Sequence, residues 1–195
     1  MKVKERAKPK VPPVAPGVYI AVCVGIIDLG EQYNEKFKNY QNKIKIVWEL
    51  IGETVEIDGD TKPRQLSKEF TVSSSNKSKL RAFISSWNGK QYGEEEFGEF
   101  ELFDQLGKPC QLQVILNETG EYANVENLMP LPKGIPDPKA TSEFITWDME
   151  KWDDTVFEKL PEWTKEQIKK STQYQKEHTP EETITVDTSE EECPI

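Results

Sequence analysis

Val18-Tyr19-Ile20-Ala21-Val22-Cys23-Val24-Gly25-Ile26-Ile27-Asp28-Leu29 is a long apolar run interrupted by one glycine. By alternation Val18, Ile20, Val22, Val24 and Ile26 share one face, with Tyr19, Ala21 and Cys23 on the other. Gly25 in the middle marks a bulge or tight bend, so the strand can bend and serve both halves of a curved sheet. Downstream, Ile44, Ile46, Trp48 and Leu50 alternate with Lys43, Lys45 and Glu49, the period of a half-buried strand. Asp58-Gly59-Asp60 makes a turn, and Arg64 to Val72 reads as a third strand with Leu66, Phe70 and Val72 as its apolar members.

The period then changes. Leu80, Phe83, Ile84 and Trp87 fall at helical spacing, Ser74 or Ser75 offers an N-cap, and Asn88-Gly89 stops the helix. A second helical stretch is predicted over Glu95 to Leu106, with Phe97, Phe100, Phe103 and Leu106 apolar and Gly107 as terminator. Cys110, Leu112, Val114 and Leu116 alternate with Gln111 and Gln113 in a fourth strand, and Glu118-Thr119-Gly120-Glu121 turns into a fifth over Tyr122 to Leu128. The fold class is therefore mainly β. Five short strands with a helical insertion between strands 3 and 4 is the order of an OB-fold, a partly open Greek-key barrel that commonly binds oligonucleotides or oligosaccharides.

The chain has 195 residues, of which 35% are apolar and 31% charged, so one core does not extend over its whole length. No apolar run reaches the roughly 18 residues of a spanning helix. The basic N-terminus gives way to Pro12, Pro13 and Pro16 where a secretory signal needs an apolar stretch, so a cytoplasmic protein is expected. The net charge of −10 is unevenly placed: Gly134 to Ile195 holds 16 acidic and 7 basic residues, and the remainder is almost neutral. Lys2, Lys4, Arg6, Lys8 and Lys10 crowd the first ten residues. Prolines mark the joints, giving a basic arm over 1–16, a body over 17–133, a linker with an aromatic-rich helical segment over 134–180, and a disordered acidic tail over 181–195. Pro161 sits at the first turn of a helix running to about Gln175. The segment Phe144 to Ile168 holds three tryptophans and either packs on the body or docks a partner.

The connection from Glu31 to Lys43 interleaves Tyr33, Phe37 and Tyr40 with Lys36, Lys38 and Lys43. Rings stack on bases at about 1–3 kcal/mol each while ammonium groups neutralise phosphates, so the mixture suits a single strand, DNA or RNA alike. Lys45 on the second strand and Arg64 and Lys68 on the third extend the positive track, provided that a bulge or strand end releases the last two from the face of Leu66 and Phe70. Tyr19, opposite the packed face, is a further stacking candidate, whereas Trp48 and Trp87 read as core. No phosphate loop or nucleophile elbow occurs, the sole histidine is His178, and Cys23, Cys110 and Cys193 are too scattered for a zinc site or disulfide framework. Asp28, Glu31, Glu49 and Asp58 are the acids among which a metal-dependent nuclease could hide, but without ligand spacing they read as a solvated face. Neither catalysis nor a cofactor is expected.

The chain closes on Glu190-Glu191-Glu192-Cys193-Pro194-Ile195. An acidic run ending in proline and one apolar residue resembles the C-terminal peptide of bacterial single-stranded DNA-binding proteins, with Ile in place of Phe. That resemblance implies that Glu190, Glu191, Glu192, Pro194 and Ile195 recruit replication proteins. Pro16-Gly17-Val18-Tyr19, Ile26-Ile27-Asp28-Leu29-Gly30, Ile46-Val47-Trp48-Glu49-Leu50, Ser78-Lys79-Leu80-Arg81, Trp87-Asn88-Gly89-Lys90 and Leu160 to Ile168 are similar to phage-encoded single-stranded DNA-binding proteins. The family it resembles coats and protects exposed single strands during phage replication and recombination, in the host cytoplasm and without a cofactor. The alternative of another class is a protein-interaction adaptor or DNA mimic on an OB-type barrel, binding no nucleic acid.

Overall fold

A computed structural model describes residues 11–178, so most of the basic arm and the acidic tail, including Glu190, Glu191, Glu192, Pro194 and Ile195, lie outside the described residues. Five strands form one antiparallel series: β1 (Gly17–Asn34), β2 (Asn39–Ile57), β3 (Asp60–Thr71), β4 (Pro109–Leu116) and β5 (Ala123–Met129), in the spatial order β3-β2-β1-β4-β5. A short sixth strand, β6 (Ile145–Trp147), runs parallel to β1. The edge of β1 changes partner along its length, pairing with β4 from Gly17 to Val22 and with β6 from Gly25 to Ile27. The switch falls at the irregularity between Cys23 and Gly25 in the β1–β2 register. There a side chain at Gly25 would meet the Val47 Cβ at 3.1 Å, which is why the bulge takes glycine.

That bulge overturns the expected facing of the first strand. Ala21 and Cys23, not Val22 and Val24, point into the main core, and Ile26 joins them after the shift. Val22, Val24 and Ile27 are buried on the opposite side. The main core also holds Ile44, Ile46, Trp48, Leu50, Leu112, Val125 and Leu128, together with Val14 from the end of the arm. Helix α1 (Lys79–Asn88) closes one end with Leu80, Phe83, Ile84 and Trp87, its Trp87 ring 6.0 Å from that of Trp48. Its N-cap is Ser78, which accepts from the Arg81 amide, a few residues later than the sequence indicated. The predicted helix over 95–106 is split into α2 (Glu94–Gly98) and a 3-10 turn at Leu102–Gln105. The phenylalanines recur every three residues, a period that suits 3-10 geometry better than 3.6.

β3 and β5 turn towards each other without a backbone ladder between them, so the sheet stays open there. The Lys68 ammonium crosses the gap and donates to the Val125 carbonyl. On the outer face of β1 and β2, α3 (Asp154–Lys159), α4 (Glu162–Lys169) and α5 (Thr172–His178) form a second layer, led in by β6 on the edge of β1. Trp147, Phe157, Leu160 and Ile168 are buried there against Ile27 and Leu29. The helix predicted from Pro161 to Gln175 breaks at Ser171, whose hydroxyl donates to the Ile168 carbonyl and accepts from the Tyr174 amide, ending one helix and starting the next. Gly30, at φ +69, lies where a Cβ would come within 2.8 Å of the Ser171 Cβ, so the layer fits only over a glycine. No helix among the described residues is long and apolar enough to cross a membrane.

Candidate nucleic-acid interface

Past the Gly30↔Lys43 pair, β1 and β2 continue to Asn34↔Asn39 as a hairpin. The Asn34 carboxamide oxygen accepts from the Lys36 and Phe37 amides at 3.1 and 3.2 Å, and Lys38 takes φ 51 to close the turn. Tyr33 and Tyr40 are register partners with ring centroids 5.1 Å apart. The Lys36 ammonium lies 5.5 Å from the Phe37 ring centre. Tyr33, Phe37 and Tyr40 are 52%, 64% and 57% exposed, three large rings left in water on one projecting element. Lys36 and Lys38 are exposed beside them. An exposed aromatic cluster of this kind costs solvation free energy that a bound partner would recover.

The base of the hairpin is braced. The Glu31 amide donates to the Gln173 side-chain oxygen at 2.9 Å, the Thr172 hydroxyl to the Glu31 carboxylate at 2.7 Å, and the Gln32 amide group to the Gln167 carbonyl at 2.8 Å. These bonds hold the arm to α4 and α5 as far as Gln32, and the ring-bearing tip extends beyond them.

The other cations expected to continue the track are engaged elsewhere, so the track is not continuous. Lys45 is 1% exposed under α4, where its ammonium pairs with Glu69 at 3.2 Å, donates to the Gln167 side chain and lies 3.4 Å from the Trp163 ring centre. Burial holds its pKa below the usual lysine value, partly countered by Glu69. A buried ammonium needs partners of this kind, and having them it is withdrawn from phosphate. Lys68 stays on the core face because no bulge intervenes between Gln65 and Thr71. Its ammonium sits 4.9 Å from the Phe83 ring centre, and burial lowers its pKa, with Glu126 opposing. The Arg64 guanidinium donates to the Pro12 carbonyl, tying down the N-terminal arm. Lys43, half-buried, donates to the Thr71 hydroxyl at 2.6 Å.

Tyr19 also departs from expectation. It packs against the main core and its hydroxyl donates to the Ala15 carbonyl at 2.8 Å, because the true core face of β1 is its own. The structure thus brings Tyr33, Lys36, Phe37, Lys38 and Tyr40 together and separates Tyr19, Lys45, Arg64 and Lys68 from them. Trp163, placed by the sequence in the aromatic-rich segment without a role of its own, is half-exposed in the first turn of α4 beside a pocket of about 430 Å³. Its signal was position: an indole directly after Pro161-Glu162 is set at the start of a helix, before the apolar face that Thr164 and Ile168 bury.

The four acids weighed for a nuclease do separate work. Glu49 accepts from the Thr141 and Ser142 amides and the Thr141 hydroxyl, Asp28 from the Gly30 amide, and Glu31 from Thr172, while Asp58 lies at φ 54 in the turn after β2. Burial raises the Glu49 pKa, and the bonds from Ser142 and Thr141 outweigh it, leaving the group below its ordinary value. Among the described residues no group of three or more His, Cys, Asp or Glu is placed to hold a metal ion. Comparison with protein-family models, with curated proteins and with solved structures finds no match.

Proposed function

We propose that the protein binds single-stranded DNA with little sequence preference, gripping it with the tip of the β1–β2 hairpin. The observation that carries this is the cluster of exposed Tyr33, Phe37 and Tyr40 with Lys36 and Lys38 on a projecting, base-braced arm. Every base has a face on which to stack, so such a surface tolerates sequence, and the two ammonium groups neutralise neighbouring phosphates. The order β3-β2-β1-β4-β5, with β3 and β5 turned towards each other across Lys68, supports an OB-type barrel, whose first inter-strand loop is a nucleic-acid loop. On this reading the strand is protected during phage replication or recombination, and the tail at 190–195 recruits replication proteins.

Fluorescence anisotropy with an unstructured labelled oligonucleotide tests the proposal. Binding at low salt is expected, falling as salt rises, with duplex a poor competitor. No response from micromolar protein at low salt overturns it, and capture of a host protein in its place favours the adaptor.

A further inference from the structure

We propose a second base-binding position on the outer face of the sheet, where Trp163 walls a pocket over β1, β2 and β3 and takes one base of the same strand. This rests on the single-strand reading above.

Among the five tryptophans, Trp48, Trp87 and Trp147 are buried, and half-buried Trp152 donates its indole N–H to Asp154. Trp163 alone is an exposed indole, half of it in water at 51%. It is nevertheless held. The Lys45 ammonium lies 3.4 Å from its ring centre and is itself fixed by Glu69 and the Gln167 side chain. A cation–π contact to a desolvated ammonium is among the stronger of its kind, so the indole is pinned before any ligand arrives. A pinned ring loses little freedom on stacking and therefore binds better than a mobile one.

The pocket beside it encloses about 430 Å³, within the roughly 300–1,000 Å³ of small-molecule sites. Val24, Ile27 and Val47 give it an apolar floor, while Gln65 and Ser67 stand on its rim with groups that can donate and accept. Its two cations are both paired, Lys45 with Glu69 and Lys159 with Glu143. A phosphate gains little from compensated charge. A flat, neutral base gains from the indole face that Lys45 leaves open, the apolar floor and the polar rim, and leaves its phosphate outside.

Lys45 lies five residues from Tyr40 along β2, about 17 Å at strand rise and on the opposite face, so a strand that passes round the edge of the hairpin reaches both positions within one footprint of about 4–16 nucleotides. The test is a titration of the full chain with an unlabelled oligonucleotide of about 16 nucleotides, read by intrinsic tryptophan fluorescence, with anisotropy of a labelled copy in parallel. Quenching that saturates together with anisotropy is expected for the native chain and is expected to vanish in Trp163→Phe, which keeps a ring but removes the reporter. Trp163→Ala should weaken binding about five-fold or more. Anisotropy that reports binding while quenching is absent, or survives unchanged in Trp163→Phe, overturns the second position and leaves the hairpin reading intact. A loss of affinity in Trp163→Ala smaller than about five-fold also overturns it. Absence of any anisotropy response overturns both proposals together.

Discussion

Replacing Phe37 and Tyr40 by alanine separates affinity from stability. A ring that stacks on a base is worth about 1–3 kcal/mol by alanine substitution, and 1.4 kcal/mol is tenfold, so each change should weaken oligonucleotide binding about 5- to 150-fold. The two rings should not be equal. Phe37 stands alone in the turn with only Lys36 nearby, so its loss falls towards the low end. Tyr40 is held against Tyr33 with ring centroids 5.1 Å apart, and removing it also releases Tyr33, which sets its loss towards the high end. Stability should barely register either change. Phe37 is 64% exposed, and surface substitutions of that kind stay within about 0.5 kcal/mol. Tyr40→Ala forfeits a cross-strand pair of about 0.2–1 kcal/mol at the end of the ladder. Anisotropy at low salt gives the affinities, and urea unfolding of the same preparations gives the stabilities. A double variant that binds within two-fold of native, with an unchanged urea midpoint, refutes the hairpin as the interface.

Lys68→Met keeps an unbranched stem over Phe83 and removes the donor to the Val125 carbonyl. A loss of about 1–3 kcal/mol in urea unfolding is expected, with oligonucleotide affinity unchanged within two-fold; a large loss of affinity at unchanged stability would return Lys68 to the binding surface. Glu49→Gln probes the joint between the body and residues 141–142. Because the folded pKa of Glu49 lies below the ordinary 4.5, its ionised form contributes stability above that value and loses it as pH falls through the folded one. The variant should therefore be about 2 kcal/mol less stable near pH 7, and the gap should narrow steadily below pH 4.5. A gap that does not change with pH contradicts this assignment.

The positions of the strands and of α1 were legible because each rests on local periodicity: Ile44-Lys45-Ile46 alternates, and Leu80, Phe83, Ile84 and Trp87 recur at helical spacing. What alternation cannot report is whether the polar side of a strand meets water. Lys45 and Glu49 look like solvent-facing alternates, yet both are buried, because their partners Glu69, Gln167, Thr141 and Ser142 come from other strands and from residues about a hundred positions away. The facing of β1 failed for a related reason. A one-residue bulge at Gly25 exchanges the two sides, and a strand buried on both carries no polar marker to show which is which.

A signal for the second layer was nevertheless present in the same run. Val22, Ala21, Cys23, Val24, Ile26 and Ile27 are apolar at both parities, the composition of a strand covered on two faces, not one. The segment 144–168 carries three tryptophans with no apolar face of its own to rest on. Each surplus answers the other, and in the structure the segment folds back on the sheet. That layer extends only as far as Gln32, where the last bracing bond from α4 is made. Tyr33, Phe37 and Tyr40 lie past its reach, which is a geometric reason for their exposure. The same layer withdraws Lys45 from the surface and, in doing so, fixes Trp163 on it. The cationic track expected through Lys45, Arg64 and Lys68 is thereby replaced by an aromatic surface, a hairpin tip and a pinned indole, on which the proposed strand would stack its bases while Lys36 and Lys38 meet its phosphates.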